Sequence, residues 1–288
     1  MREFFAALVP WATIVFAVSS MLAVGLANTV QQILAPFRVF RRVWRSLAIN
    51  FVLAPALAYL LVRLFRLERP HAIGLFVAGS AAGAPFLLKL TQVARGDILF
   101  AASLLILLLP TTILYLPVVV PLVAPGAQVS ASAIAAPLLL TMLLPLALGL
   151  ILRAIVPSLA LSVAPVLSQF ATYALVVLFA SILIANTPLI VGLGWRPFVA
   201  ALIFILGAFS MGWLLGARTT GNRDVVGLAT AQRNIAAATV VATQTFAQLP
   251  GVLIMVTATA AAGFLVLFPV AFGMRSGLPA RALRGKHA

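Results

Sequence analysis

Long apolar blocks joined by short linkers are the feature that most restricts how this chain can fold. Nine such blocks lie at approximately residues 4–27, 46–65, 72–94, 97–123, 131–152, 163–186, 197–217, 225–246 and 252–273. Most have the roughly 20 residues that an α-helix needs to cross a bilayer. Because 64% of the 288 residues are hydrophobic and 8% are charged, a soluble domain and a disordered chain are both excluded. The sequence predicts an all-α polytopic membrane protein with nine transmembrane helices.

The basic residues predict how these helices are oriented. The net charge is +15, but the basic residues lie mostly between apolar blocks, a pattern that favours contact with anionic lipid over nucleic acid. Alternating spans put twelve Lys and Arg residues in one set of loops and five in the other, with Lys89 and Arg233 inside spans. The positive-inside rule assigns the larger set to the cytoplasm. We expect an N-terminus outside, a C-terminus in the cytoplasm and an anionic inner leaflet as partner.

Two blocks contain interruptions. In the third, Gly79, Gly83 and Pro85 can open the helix, and in the eighth three polar residues, 232–234, follow Thr230. These blocks are five helices apart, so they run in opposite directions, as in an inverted repeat that lacks one helix in its first half. Transporters commonly bind substrate where two such helices meet near the midplane.

This organisation predicts one transmembrane transporter domain over residues 1–288. Its first half-repeat is 1–123, its second is 131–273, and a basic cytoplasmic tail follows at 274–288.

Arg233 and Lys89 are the charged residues inside predicted spans. A charge at mid-bilayer is unfavourable by several kcal/mol unless it faces a cavity or a partner. The four carboxylates all lie near block ends, at Glu3, Glu68, Asp97 and Asp224. An anionic substrate would supply the missing charge, and a guanidinium suits carboxylate or phosphate. Instead of binding a substrate, Arg233 could donate hydrogen bonds to carbonyls of its own broken helix. Lys89 could instead extend its long side chain so that the ammonium reaches the cytoplasmic boundary.

The predicted site combines these cations with neutral polar residues and with the helix interruptions. The predicted substrate-binding residues are Asn234, Arg233, Gln232, Thr239, Lys89, Thr91 and Asn50, and the crossing-helix residues are Gly79, Gly83, Pro85 and Thr230. For Asn50 an interhelical hydrogen bond is an equal alternative. No catalytic residue, metal ligand or cofactor is predicted, because both histidines lie in a loop or the tail and no enzyme motif is present.

Three stretches resemble the bile acid:sodium symporter family in its bacterial branch, over essentially the whole chain. They are MLAVGLANTVQQI at 21–33 with NFVLAPALAYLL at 50–61, GSAAGAPFLLKLTQVARGD at 79–97, and VGLATAQRNIAAATVVATQTF at 226–246. The resemblance implies a ten-helix inverted-repeat fold with two crossing broken helices and with core and panel domains. Spans two, three, four, seven, eight and nine would form the core domain, and spans one, five and six the panel domain. The first span is similar to the family's second helix, which implies a nine-helix form in a bacterial inner membrane.

The sequence departs from the family where sodium-coupled members bind their ions. The first crossing helix of those members offers a Ser-Asn pair, and the aligned residues here are Leu87 and Leu88. The second offers a Glu and a Gln, and the aligned residues are Ala229 and Arg233. We expect the sodium sites to be absent, with Arg233 acting as a built-in cation. Asn234 aligns with the family's Asn beside the substrate and is the first-choice substrate contact.

The sequence therefore predicts a sodium-independent secondary transporter of a small organic anion that works by alternating access. One alternative is an ordinary sodium-coupled symporter of the family, and another is a non-transporting membrane receptor or scaffold. An arsenite exporter is disfavoured because the chain has no cysteine. The sequence does not identify the substrate, the coupling ion, the direction of transport or the oligomeric state.

Overall fold

The computed structural model describes residues 2–34, 40–123, 131–185, 187, 192–220 and 223–276, and these residues form helices without any strand. The helices, in chain order, are α1 Arg2–Ala27, α2 Val30–Leu34, α3 Phe40–Ala48, α4 Ala54–Phe65, α5 Arg69–Ser80, α6 Leu87–Val93, α7 Ile98–Val123, α8 Ala131–Leu138, α9 Leu144–Ile155, α10 Pro157–Ala185, α11 Trp195–Thr220, α12 Arg223–Ala231, α13 Ile235–Gln244 and α14 Pro250–Ser276. Five-residue π-helical turns at Ile49–Leu53 and Leu139–Leu143 join α3 to α4 and α8 to α9.

Eight stretches of the described residues are long and apolar enough to cross a membrane. They overlap eight of the nine predicted blocks, so the prediction of an all-α polytopic membrane protein is confirmed. The third block, 72–94, is divided between α5 and α6, which are 12 and 7 residues long and too short to cross separately. Helix α10 begins at Pro157, ahead of the predicted boundary at 163, because proline suits the first helical position.

The third block is interrupted between α5 and α6, over residues 81–86. Gly83 has a φ of +76°, and a Cβ at this position would lie 2.5 Å from the backbone nitrogen of Leu109 in α7. Only glycine satisfies both the left-handed backbone and this close approach. Ala84 precedes Pro85, and the residue before a proline is disfavoured in helical conformation. Sequence and packing therefore open the helix at the same place.

The eighth block is interrupted at Gln232–Asn234, between α12 and α13. Neither glycine nor proline is present here, so the interruption depends on polar side chains. Asn234 accepts a hydrogen bond at Oδ1 from the backbone nitrogen of Ala237 at 3.1 Å, which caps the start of α13. The stretch Arg223–Gln244 is also the most enclosed candidate span, with 94% of its membrane-length window buried.

Small residues bring the helices around these interruptions into close contact. Gly25 in α1 packs against Gly149 in α9, and a Cβ on either one would lie under 3 Å from the other helix's backbone. Gly212 in α11 packs equally closely on Thr230 in α12. Membrane helices associate through such backbone contacts because lipid provides no hydrophobic driving force between them. The packing holds α12 and α13 at the centre of the molecule.

Candidate functional site

Arg233 lies between the two interrupted helices and is 1% exposed. Its guanidinium donates five hydrogen bonds. Nε donates to Ala78 O at 3.2 Å, and Nη1 donates to Thr230 O at 2.9 Å and to Asn50 Oδ1 at 3.1 Å. Nη2 donates to Gly79 O at 2.6 Å and to Asn50 O at 3.5 Å. A guanidinium has five N–H donors. All five are therefore directed at oxygen atoms of the protein itself.

The oxygen atoms around Arg233 come from three helix irregularities. Ala78 and Gly79 are in the last turn of α5, and Thr230 is in the last turn of α12, where carbonyls carry the negative end of the helix dipole. Ala78 O also accepts from the backbone nitrogen of Ala81 at 3.2 Å. Asn50 lies in the first π-helical turn, next to Phe51, whose carbonyl accepts a hydrogen bond from the Tyr115 hydroxyl at 2.7 Å. These oxygen atoms form a cage around the guanidinium, which donates a hydrogen bond to each of them.

Asn234 fastens the second interruption to the first. Its backbone nitrogen donates to Ala81 O at 2.8 Å, and its side-chain Nδ2 donates to Gly83 O at 3.1 Å. Its Oδ1 caps α13 through Ala237. Because Asn234 is 1% exposed, this side chain acts primarily as a structural link in this conformation.

Thr112 of α7 provides hydrogen-bond partners for the backbone N–H and carbonyl of Ala82 in the first interruption. Its hydroxyl accepts from the Ala82 nitrogen at 2.9 Å and donates to the Ala82 carbonyl at 2.8 Å. Both residues are fully buried. In hydrocarbon every free N–H and carbonyl must find a partner within the protein, so Thr112 and Asn234 together allow an extended segment inside this span.

Two adjacent cavities lie beside the interruptions. The smaller, about 20 Å³, is lined by Gln232, Arg233 and Asn234 and has room for about one water. The larger, about 570 Å³, lies between α6 on one side and α1 and α10 on the other. Both cavities are lined by Phe16, Pro85, Phe86 and Leu175. Only the larger one has the volume of a typical small-molecule site.

The structure brings most of the predicted site residues together and leaves three of them apart. Those that meet around the two interruptions are Asn50, Gly79, Gly83, Pro85, Thr230, Gln232, Arg233 and Asn234. Lys89 lies in the larger cavity and donates from Nζ to Thr172 Oγ1 at 3.0 Å. Thr91 is fully buried and bonds to Leu87 O within its own helix, and Thr239 is buried in α13. Neither threonine is among the residues that line the two cavities.

Sequence analysis did not identify Thr112 or the polar residues of α10. Ser168, Gln169 and Thr172 line the larger cavity. Their spacing of three and four residues puts them on one helical face, a signal that could have revealed them within an otherwise apolar block. Thr112 had no comparable signal, because its partner Ala82 is known only from the fold.

The four acidic residues occupy helix starts. Glu3 is in the first turn of α1, Glu68 precedes α5, and Asp224 is in the first turn of α12. Asp97 accepts from the backbone nitrogen of Phe100 at 2.9 Å, at the start of α7. Carboxylates are stabilised at helix N-termini, and none of these four lines either cavity.

Three of the four residues that the sequence analysis aligned with the family's ion-binding positions are apolar, and the fourth is Arg233. Leu87 and Ala229 are buried at 1% and 2% exposure, and Leu88 is partly buried against the hydrophobic core. None of these three side chains carries an oxygen atom. The expected loss of side-chain oxygen ligands is thus accompanied by apolar packing in the same places.

Comparison with protein families gives a match that covers more than half of the 288 residues. The sequence model of the Sodium Bile acid symporter family matches residues 14–193. This range includes the first interruption and ends before α12. A search of the curated proteins finds no match to the chain. With its helical membrane architecture and the sequence features described above, the chain belongs to the sodium bile acid symporter family.

Proposed function

We propose that this protein is a secondary transporter that moves a small organic anion by alternating access and without sodium. Family membership and the helical membrane fold support a transporter. The observation that carries the sodium-independent part is Arg233, whose guanidinium donates to oxygens of Asn50, Ala78, Gly79 and Thr230. A permanent cation already occupies the place where the ends of two interrupted helices meet.

The charge of Arg233 opposes an alkali ion at this position. Two unit charges about 4 Å apart repel by roughly 4 kcal/mol at an effective dielectric constant of 20. Sodium needs several hard oxygen ligands, and the carbonyls that could supply them already accept hydrogen bonds from the guanidinium. In this proposal Arg233 holds α5 and α12 together in every state of the transport cycle. A bound sodium ion would do so only in the states in which it is bound.

The proposal includes the fold inferred from the sequence. The pair α5 and α6 forms the third of nine spans, and α12 and α13 form the eighth. The half-repeats 1–123 and 131–273 are related by inversion, with residues 274–288 as the cytoplasmic tail. The core and panel domains rock against each other in a bacterial inner membrane, with the N-terminus outside. The position of the larger cavity between α6 and the pair α1 and α10 supports this division.

An anionic substrate follows from the charges near the cavities. Of the residues described as lining them, Lys89 and Arg233 are cationic and none is acidic. The starts of α6 and α13 also lie beside the smaller cavity, and helix starts favour negative charge. A substrate with a carboxylate fits this electrostatic setting better than a neutral or cationic one.

Uptake by the purified protein tests the proposal. Organic acids that raise the Tm of the protein are radiolabelled, and their uptake into proteoliposomes is measured with sodium and with choline as the external cation. Equal uptake in both media is expected, well above that of protein-free liposomes. Uptake that disappears in choline contradicts sodium independence and favours the ordinary symporter. Acids that bind but never cross the bilayer contradict transport and favour a receptor or scaffold.

A further inference from the structure

Of the two cations inside the predicted spans, Lys89 is the one with donors left for a substrate. Its Nζ donates to Thr172 Oγ1 at 3.0 Å, and among the described residues it has no other hydrogen-bond partner. An ammonium has three N–H donors, so two remain available on a side chain that lines the larger cavity. Arg233 differs in this respect, because its five donors are all engaged.

Thr172 presents its oxygen to Lys89 in a fixed direction. Its hydroxyl donates to Ser168 O at 2.9 Å within α10, so the lone pairs of Oγ1 face the ammonium. The contact joins α6 to α10 across the cavity. Gln92 of α6 and Gln169 of α10 line the same cavity and add amide donors on either side.

The charge balance of the cavity restricts the substrate to one negative charge. Lys89 is the one charged side chain among the described residues that line the larger cavity, and no acidic residue lines it. A monoanion would neutralise the ammonium and accept its two remaining N–H bonds at the two oxygens of a carboxylate. A dianion would carry a second negative charge that no cationic side chain described as lining this cavity compensates.

Part of the cavity wall is apolar and aromatic. Phe16, Phe86 and Leu175 line it where it adjoins the smaller cavity. Phe86 is held by edge-to-face contacts with Phe264 at 5.1 Å and Phe268 at 5.8 Å between ring centroids. Such rings favour an apolar body over a polar one.

We infer that Lys89 is the residue that binds the charged group of the substrate, and that the substrate is a monocarboxylate whose apolar body rests on Phe16 and Phe86. The inference rests on the proposed function and specifies its binding site. Binding supplements the Lys89–Thr172 contact, and the side-chain amide of Gln169 in α10 can donate to the same carboxylate, which then bridges α6 and α10. Lys89 thereby determines specificity for the anion, and Arg233 remains structural.

The chain contains two lysines, Lys89 and Lys286, so acylation of amines can report on this site in the unaltered protein. The protein in lipid nanodiscs is treated with sulfosuccinimidyl acetate, and modification of each lysine is followed by mass spectrometry. The probes are hexanoate, phenylacetate and 4-phenylbutyrate, each beside its uncharged primary amide. At about ten times its Kd a bound carboxylate should slow acylation of Lys89 by about tenfold, by mass action. Lys286 serves as the internal reference.

A carboxylate that protects Lys89 while its amide does not, with Lys286 unchanged, supports the inference. Equal Lys89 acylation with and without every carboxylate overturns it, as does equal protection by carboxylate and amide. Succinate is included as a dianion, and protection by succinate as strong as by the best monocarboxylate overturns the charge assignment.

The variants Lys89→Met and Lys89→Arg separate this inference from the proposed function. Sodium-free uptake that is unchanged in Lys89→Met refutes the role of Lys89 and leaves the transporter intact. Protection of Lys89 without any uptake refutes transport and leaves the binding site intact. Lys89→Arg keeps the charge, so it should retain carboxylate binding that Lys89→Met loses, provided that both elute as the folded protein in size-exclusion chromatography.

Discussion

Arg233 shows how one residue can satisfy two demands of a membrane interior. A charged side chain at this depth needs compensation, and an interrupted helix leaves carbonyls that need donors. The guanidinium meets both demands by binding the oxygens of Ala78, Gly79 and Thr230. The sequence indicated that Arg233 is buried and important, but it left open whether the charge faces a ligand or the backbone. The directions of its N–H groups, which depend on the packing of α5 and α12, favour the backbone.

Removal of the Arg233 guanidinium should be strongly destabilising and should create a cation site. Arg233→Ala leaves several buried oxygens without donors, so we expect the free energy of unfolding to fall by about 3 kcal/mol or more. Millimolar guanidinium chloride, and more weakly sodium chloride, should raise the Tm of this variant relative to choline chloride. Thermal unfolding followed by intrinsic fluorescence measures both effects.

Arg196→Ala is the matched control for Arg233→Ala, because Arg196 is exposed at the start of α11. Its Tm should stay close to that of the original protein and should not respond to guanidinium at these concentrations. A Tm of Arg233→Ala that falls no further than that of Arg196→Ala would contradict the caged-cation interpretation.

The two interrupted helices are stabilised by different means. Gly83 and Pro85 open α5–α6 through backbone conformation, so local sequence predicts the location of this interruption. The α12–α13 interruption has neither residue type and depends on Asn234, which caps α13 and reaches Gly83 O. The location of the α12–α13 interruption was predicted from the polar residues that interrupt an apolar block. The contacts that join the two interruptions were not predictable residue by residue, since they run from Asn234 to the backbone oxygens of Ala81 and Gly83.

Neighbouring threonines in α7 allow a direct test of how the first interruption is held. Thr112→Val removes both hydrogen bonds to Ala82 and should reduce stability by about 2 kcal/mol or more, because a buried N–H and carbonyl lose their partner. Thr111→Val removes a bond to Leu107 O, which lies within the same helix, and should change stability by less than about 0.5 kcal/mol. Thermal unfolding of both variants measures the difference, and equal losses would contradict the role of Thr112.

The assembled helices create a cavity that no single element contains. Helices α1 and α10 supply one wall and α6 supplies the other. Under the predicted orientation, α6 approaches the cytoplasmic side at Arg95, and α10 starts there at Pro157. The cavity would then be accessible from the cytoplasm in this conformation, and alternating access requires a second conformation in which it opens outward.

The predicted orientation can be tested directly because the chain has no cysteine. Ser158 lies at the start of α10 and Arg196 at the start of α11, and both are exposed. The two variants to be tested are Ser158→Cys and Arg196→Cys. In right-side-out vesicles a membrane-impermeant maleimide should label Arg196→Cys at once and Ser158→Cys only after permeabilisation. The reverse pattern would place the N-terminus in the cytoplasm.

The sequence alone determined the all-helical membrane architecture, the locations of both interruptions and the family, because hydrophobic block length, glycine and proline chemistry and short motifs are local properties. The tertiary structure decided what each polar residue does there. Arg233 and Lys89 are both cations inside apolar blocks, yet one is enclosed by carbonyls and the other faces a cavity of about 570 Å³. Their roles differ because hydrogen-bond partners such as Asn50 and Thr172 are 183 and 83 residues away along the chain, and only helix packing brings them within reach.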